Sequence, residues 1–424
     1  MDKRFSSLFN LTEAQAIEIL DGPADDSDEA SSRYIAAAHL VNFDTEPSVA
    51  ALMRAANNTA PDLDNRIVRR KAVESLGRLK VKAALPTLKS CLDDEDSYLV
   101  ENAAWALGEI GTDNVTTLEK LAEQLDRPSQ SYRAIIHTLA KLRYAPSAER
   151  IQTFTTSEQD PPIASAALSA LYQLTGDEQA IVGVLKFLQS PNVNARRGSI
   201  QDLIDAGYVQ AIPQIAQCPV SMVFRLRGIR LLAEKGIESG RLSFEQIQPD
   251  LEKVIRDYPG DVALVHHYEQ LPALDSLMQS LYGTDFGRCY LASKTLLENY
   301  AEVAPAALRE SYLAEGYNDY GAHYHIMRLF GWLKVGEAYD LLVEALHNQS
   351  PQFQKSRVAA AIALAEISAS GADTRAVAEI KKALAVPIWD LQYAAIMALD
   401  KLGEAAHLEV ENADWLVQAK LKTL

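Results

Sequence analysis

The chain has 424 residues, of which 57 are acidic and 41 basic, giving a formal net charge of −16 at neutral pH. That balance repels nucleic-acid phosphates and anionic lipid surfaces, which argues against a nucleic-acid partner. No apolar run reaches the roughly 20 residues needed to span a bilayer, and Met1-Asp2-Lys3-Arg4-Phe5 opens no signal-peptide core, so a cytoplasmic protein without membrane insertion is expected.

Strand signals are sparse, Ala and Leu dominate, and Pro and Gly fall mainly between periodic segments, which reads as all-α. In chain order, residues 1–32 hold a short helix and an acidic linker from Gly22 to Ser32. Residues 33–235 hold a first array of repeats, with an irregular insertion expected from Pro47 to Asp64. Residues 236–287 are expected to form a degenerate repeat or bend, interrupted by Pro249, Pro259-Gly260, Pro272 and Gly283, and 288–424 a second array. A leucine marks the repeat: Leu76, Leu107, Leu139, Leu171, Leu203 and Leu232 recur every 29 to 32 residues. The beat resumes at Leu297, Phe330, Leu364 and Leu399, is faint at Leu40, and leaves room for one degenerate member near Leu264.

The segment Glu101-Asn102-Ala103-Ala104-Trp105-Ala106-Leu107-Gly108 overlays Arg70-Lys71-Ala72-Val73-Glu74-Ser75-Leu76-Gly77 without a gap, and both resemble the second helix of a HEAT repeat. A unit this short cannot bury its apolar stripe alone, so neighbours must stack. The expected fold is an α-solenoid of HEAT-like helical hairpins, curved around a concave groove.

Positions two and six residues before the beat share one outward helical face. They hold Arg70 and Glu74, Glu101 and Trp105, Arg133 and His137, Ser165 and Ser169, Arg197 and Gln201, and Leu226 and Arg230. Leu291 and Thr295, Tyr324 and Arg328, Val358 and Ile362, and Tyr393 and Met397 follow. Helix propensity and coverage of neighbouring repeats account for part of this pattern. Guanidinium groups that grip carboxylates, beside rings that stack, point instead to an aromatic or polyene anion as ligand.

The densest polar cluster is Tyr317-Asn318-Asp319-Tyr320-Gly321-Ala322-His323-Tyr324-His325. A helix starting near Asp319 would be capped by that carboxylate, and the four-residue spacing to His323 suits general acid-base chemistry. Against that stands the repeat pattern. Asp96 and Asp160 also lie eleven residues before the beat, and Arg69, Arg196, Arg225 and Arg357 lie seven before it, positions commonly structural. His266-His267-Tyr268 has no third ligand at helical spacing, so no metal is expected. Cys91, Cys218 and Cys289 match no metal pattern and read as reduced core thiols. Phosphate-binding Gly loops, nucleophile elbows and dinucleotide fingerprints are missing from the sequence.

The array, the Glu101 to Gly108 helix and the Tyr317 to Trp332 segment together resemble the phycobilin lyases of the E/F clan. Within it they are most similar to the single-chain phycoerythrin α-subunit lyases and lyase-isomerases. The resemblance implies an enzyme that joins phycoerythrobilin, an open-chain tetrapyrrole with two propionates, to a cysteine of the phycoerythrin α subunit. The acceptor thiol adds to the exocyclic double bond of ring A, so the enzyme needs neither a cysteine of its own nor a cofactor. Some members also isomerise the pigment to phycourobilin, which requires an acid and a base flanking ring A. On this reading Asp319 is the base or proton relay, with Tyr317, Tyr320 and His323 as donors or positioners. Arg70, Arg133, Arg197, Arg230 and Arg328 include the propionate contacts, and Glu101, Trp105, His137 and Tyr324 complete the bilin-binding stripe. The alternative is a non-enzymatic scaffold or a bilin carrier serving phycobiliprotein assembly.

Overall fold

The computed structural model describes residues 11–23, 32–368 and 374–424, and the acidic linker lies largely outside them. Among the described residues there are α-helices and short helical turns and no strands. None of these helices is long and apolar enough to cross a membrane. The chain divides into two compact units between Val184 and Leu185.

The N-terminal unit comprises α1 (Glu13–Asp21), α2 (Ser32–His39), α3 (Glu46–Asn57), α4 (Leu63–Arg78), α5 (Leu85–Cys91), α6 (Ser97–Ile110), α7 (Val115–Glu123), α8 (Tyr132–Lys141), α9 (Ala148–Gln152) and α10 (Pro161–Thr175), and the division falls within α11 (Glu178–Phe187). Most of the insertion expected from Pro47 to Asp64 is in fact α3. Thr45 caps that helix by accepting from the Ser48 N–H, Pro47 sits in its first turn where no N–H is needed, and Ala51, Leu52, Ala55 and Ala56 form its buried stripe.

The C-terminal unit comprises α12 (Val193–Ala206), α13 (Ile212–Gln217), α14 (Met222–Glu238), α15 (Phe244–Arg256), α16 (Leu274–Ser280), α17 (Phe286–Asn299), α18 (Ala304–Ser311), α19 (Tyr320–Trp332), α20 (Tyr339–His347), α21 (Gln354–Ser368), α22 (Thr374–Ala383), α23 (Trp389–Lys401) and α24 (Trp415–Leu421). No helix forms near Leu264: residues 262–273 run without one between α15 and α16. Pro259-Gly260 ends the preceding turn, and the Ala263 N–H is taken by the Gln217 carbonyl at 2.9 Å.

The beat residues at 76, 107, 139, 171, 203, 232, 330, 364 and 399 are all buried. The member expected at Leu297 is instead Leu296, which is fully buried while Leu297 is only half-buried. Eleven residues before Leu296 lies Asp285, which caps α17 as Asp96 caps α6 and Asp319 caps α19. One residue after the beat, Gly77 and Gly331 let adjacent second helices touch. A Cβ on either would lie 2.7 Å from the Cβ of Ala106 or Ala363. Four residues after the beat, the helix ends in a left-handed residue at Lys80, Gly111, Arg143, Gly207, Lys334 and Gly403.

The arginines seven residues before the beat have one structural task. Arg69 donates to the Ala56 carbonyl at 3.0 Å, Arg196 to Ser190 at 2.7 Å, Arg225 to Ala216 at 3.1 Å, and Arg357 to Leu346 at 2.9 Å. Each thereby satisfies a carbonyl at or just beyond the end of the preceding helix. Arg69, Arg196 and Arg225 then pair with Asp94, Asp285 and Asp257.

Candidate functional site

In the N-terminal unit Ser165 and Ser169 are buried, and the other stripe residues are half-buried, several of them engaged with adjacent repeats. Arg70 pairs with Asp96 at 2.6 Å and covers the Tyr98 ring at 4.8 Å. Glu101 accepts from the Ser131 hydroxyl, and Arg133 donates to the Pro162 carbonyl. Trp105 packs beside Gly77, and His137 lies half-buried on α8. These residues lie along successive helices, and two small clefts of this unit are bordered instead by Arg33 and Arg54 and by Arg66 and Arg69.

In the C-terminal unit the outward stripe is covered rather than open. Tyr324, Arg328, Val358, Ile362 and Tyr393 are buried: α15, remote in sequence, packs on α21 and α23 and meets Arg328, and α24 packs on α23. Arg328 donates to the carbonyls of Ile255 at 2.6 Å and Arg256 at 3.0 Å. Arg230 pairs with Asp414 at 2.8 Å, and Lys420 with Glu252 at 3.0 Å. The groove expected at Tyr324 and Arg328 is therefore interior, and Arg230, half-buried, ties α14 to the start of α24.

Beneath them lies a buried lock. Asp257, left-handed at φ 51° after α15, turns its carboxylate inward. It pairs with Arg225 and accepts from the hydroxyls of Tyr290, at 2.8 Å, and Tyr324. Burial alone would raise this carboxyl, but the Arg225 and Arg328 guanidiniums and the Tyr324 hydrogen bond hold it below the usual range. His325 is enclosed by Phe286, Tyr290 and Tyr324, with ring centroids at 4.7, 5.5 and 5.2 Å, and burial pushes its pKa down to about 3. His323 takes the place that arginine holds in other repeats, stacks near Phe353 at 4.6 Å, and is pushed down to about 4 by burial.

The Asp319–His323 dyad expected from their spacing does not form at the ring's Nδ1, which has no hydrogen-bond partner. The Asp319 carboxylate instead accepts from the N–H groups of Gly321 at 2.9 Å and Ala322 at 2.7 Å. Tyr317 is 56 % exposed, beyond a π-type turn closed by its own N–H on the Tyr312 carbonyl at 2.9 Å. His266 binds Asp285 at 3.1 Å. The three cysteines are buried and unpaired, and burial raises each thiol, Cys218 and Cys289 to about 12.

Two sequence-predicted residues, Arg197 and Tyr320, meet in a cleft of about 350 Å³. Five helices present their first turns to it: α14 at Phe224, α17 at Phe286, α19 at Tyr320, α21 at Lys355 and α23 at Asp390. Helix N-termini carry partial positive charge, so their convergence favours an anion, although Asp285, Asp319 and Asp390 already accept N–H groups at three of the five. Arg197 lies over the Phe224 ring at 5.3 Å and donates to the Thr284 carbonyl at 2.8 Å. Lys355 is 7 % exposed, with its ammonium 4.3 Å from the Phe286 ring centroid and 4.4 Å from that of Tyr320. Burial pushes its pKa down to about 8. Burial also raises the Asp390 carboxyl, which accepts from the Leu391 N–H at 3.0 Å.

Sequence reasoning missed Lys355, Phe286, Phe224 and Asp390. Lys355 and Asp390 both stand nine residues before the beat, where Ile67, Gln130, Asn194, Val223 and Gly321 carry no charge. That contrast was the available signal. A second cleft of about 480 Å³, lined by Glu252, Trp332 and Met397 among others, is crossed by its own ion pairs, Lys420–Glu252 and Lys401–Glu366.

A family model described as HEAT repeats matches residues 61–140. The "Uncharacterized phycocyanin operon protein Y" of Pseudanabaena tenuis (strain PCC 7409) is 56 % identical over 422 residues, 99 % of each chain. The bilin biosynthesis protein CpeY of Synechococcus sp. (strain WH8020) is 32 % identical over 390 residues, 90 % of this chain and 92 % of that one. A phycocyanobilin lyase subunit alpha of Synechococcus elongatus is 34 % identical over 246 residues, 54 % of this chain and 85 % of that one.

Proposed function

Because this chain belongs to the family of HEAT-repeat bilin lyases, we propose that it joins a linear tetrapyrrole to a cysteine of a phycobiliprotein subunit and binds that pigment in the cleft of the C-terminal unit. The observation that supports the site is the convergence of five helix N-termini, Arg197 and Lys355 beside the rings of Phe224, Phe286 and Tyr320. A bilin is a flat conjugated chain with two carboxylates. The rings offer it stacking surface, and the Arg197 guanidinium offers charge-assisted donors to its propionates within the positive potential of the helix ends. Asp390 faces the same cleft as an acceptor for pyrrole N–H groups.

The pigment is phycoerythrobilin and the acceptor a reduced cysteine of the phycoerythrin α subunit, in the cytoplasm, with no cofactor. A phycocyanin subunit with phycocyanobilin is a second reading, favoured by the name of the 56 % identical relative. Of the catalytic set drawn from the sequence, Tyr320 borders the cleft, while Asp319 caps the helix that carries it. Attachment is the reaction this site supports best. Isomerisation to phycourobilin would further require a base close to ring A.

Incubation of the purified protein with phycoerythrobilin and apo-phycoerythrin α subunit tests the reading, with phycocyanobilin and a phycocyanin subunit in parallel. A coloured adduct that survives denaturation and forms faster than the spontaneous background is expected. Adduct only at the background rate would leave a carrier. A shift of the adduct to shorter wavelength would report isomerisation.

A further inference from the structure

Resting on the bilin lyase reading, we propose that Lys355 is the proton donor of the attachment reaction. Its placement is unusual for a lysine. The side chain is buried in the first turn of α21, its ammonium lies over the rings of Phe286, Tyr320 and Tyr324, and among the described residues it forms no ion pair. An unpaired buried ammonium is costly to a fold. The repeat does not need it either, because Arg357, two residues on, performs the carbonyl-capping task in this helix.

The surrounding groups leave the ammonium one direction in which to give up its proton. From α12, Arg197 repels it; from α17, the Cys289 thiol is protonated and neutral at physiological pH. The Asp257 carboxylate behind α15 is committed to Arg225, Tyr290 and Tyr324. On α19, Asp319 serves the helix N–H groups, and His323 and His325 are kept neutral by burial. On α23, Asp390 borders the cleft with its carboxyl raised by burial. Five helix N-termini add positive potential around the same space, which further favours release of a proton. The acceptor is then whatever lies in the cleft.

In the reaction, the acceptor thiolate forms a C–S bond to the exocyclic carbon of ring A. The π pair of that double bond moves to the neighbouring ring carbon, which takes a proton from the Lys355 Nζ. The proton lost by the thiol enters solvent and one from solvent restores the ammonium, so no oxidant, reductant or leaving group is involved.

The test uses the full chain with phycoerythrobilin and apo-phycoerythrin α subunit. It measures the single-turnover rate of adduct formation from pH 6 to 10 for the wild type, Lys355→Met and Lys355→Arg, with pigment binding followed separately by absorbance. Arginine keeps the charge but cannot release a proton at these pH values, and thermal melts confirm that each variant is folded. The wild-type rate is expected to rise with ionisation of the acceptor thiol and to fall above about pH 8. At saturating pigment both variants are expected to react at least ~100-fold more slowly and to lack the alkaline fall, Lys355→Met also binding pigment more weakly because it removes a cation from the cleft. Folded variants that, once saturated with pigment, react with the wild-type rate and profile would overturn the assignment of Lys355 alone. A wild type that forms no adduct above background with either pigment would overturn the lyase reading and this assignment with it.

Discussion

In the N-terminal unit, Arg69 and Arg70 meet Asp94 and Asp96, and Glu101 and Arg133 are met by Ser131 and Pro162. In the C-terminal unit the same repeat grammar is followed by Arg196 and Arg225 but departs at three places. His323 takes the position that arginine holds at 69, 196, 225 and 357 and fills it with a buried titratable ring, where Val100, Tyr132 and Ala164 of the first unit have none that is charged; Lys355 and Asp390 bring charge to a position that is otherwise uncharged, and α15 and α24 close over part of the outward stripe. Stacking alone explains the first pattern. The departures place an unpaired ammonium and several rings at one cleft and bury two neutral imidazoles in the core beside it, at a cost in stability that packing does not require.

The largest expected effect comes from breaking the lock. Asp257→Ala leaves Arg225 buried and unpaired and should cost about 3–5 kcal/mol. Asp96→Ala, at a partly solvated cap and ion pair, should cost about 1–2 kcal/mol. Urea unfolding of both variants measures the contrast, and equal losses would remove the distinction between the units.

Acid should sharpen the same contrast. His323 and His325 have folded-state pKa values near 4 and 3, below the usual 6.5 of an unfolded chain, so the unfolded state binds protons first. Their contribution is complete above pH 6.5 and is lost as the pH falls toward 4, by on the order of 3 kcal/mol per histidine. The urea midpoint should fall steeply over that window, and His325→Phe should flatten the fall. An unchanged slope would show that the imidazole is solvated.

Packing, in contrast, should be equivalent in the two units. Gly77→Ala and Gly331→Ala each force a Cβ to within 2.7 Å of an alanine on the next helix and should each cost about 1–3 kcal/mol. Thermal melts of the pair test this, and a loss confined to one unit would mean that the repeats are not equally tight.

Much of the architecture was legible because it is local. The beat leucines, the caps at Asp96 and Asp319, and the arginines at 69, 196, 225 and 357 recur at fixed spacing, so one good copy reads the others. Two failures were also local: Thr45 and Pro47 are a helix start that was read as irregular chain, and the Leu297 register was off by one, although Asp285 marks it. The covering of Tyr324 and Arg328 was not legible, since it depends on Asp257 and the end of α15 about seventy residues earlier in the chain, and helical periodicity carries no information about such partners. The cleft was half legible. Arg197 and Tyr320 stand out by their chemistry and repeat position, whereas Lys355, beside Gln354, Ser356 and Arg357, belongs to no motif and is marked only by its charge nine residues before the beat.

The central claim is that the pigment binds in the C-terminal cleft and not along the N-terminal stripe, and the most direct measurement is the dissociation constant of phycoerythrobilin for Arg197→Ala and Arg70→Ala in the full chain. Loss of a charge-assisted contact at Arg197 should weaken binding about tenfold, roughly 1.4 kcal/mol, while Arg70→Ala leaves it within twofold of wild type. Weakening by Arg70→Ala with no change in Arg197→Ala would contradict the account.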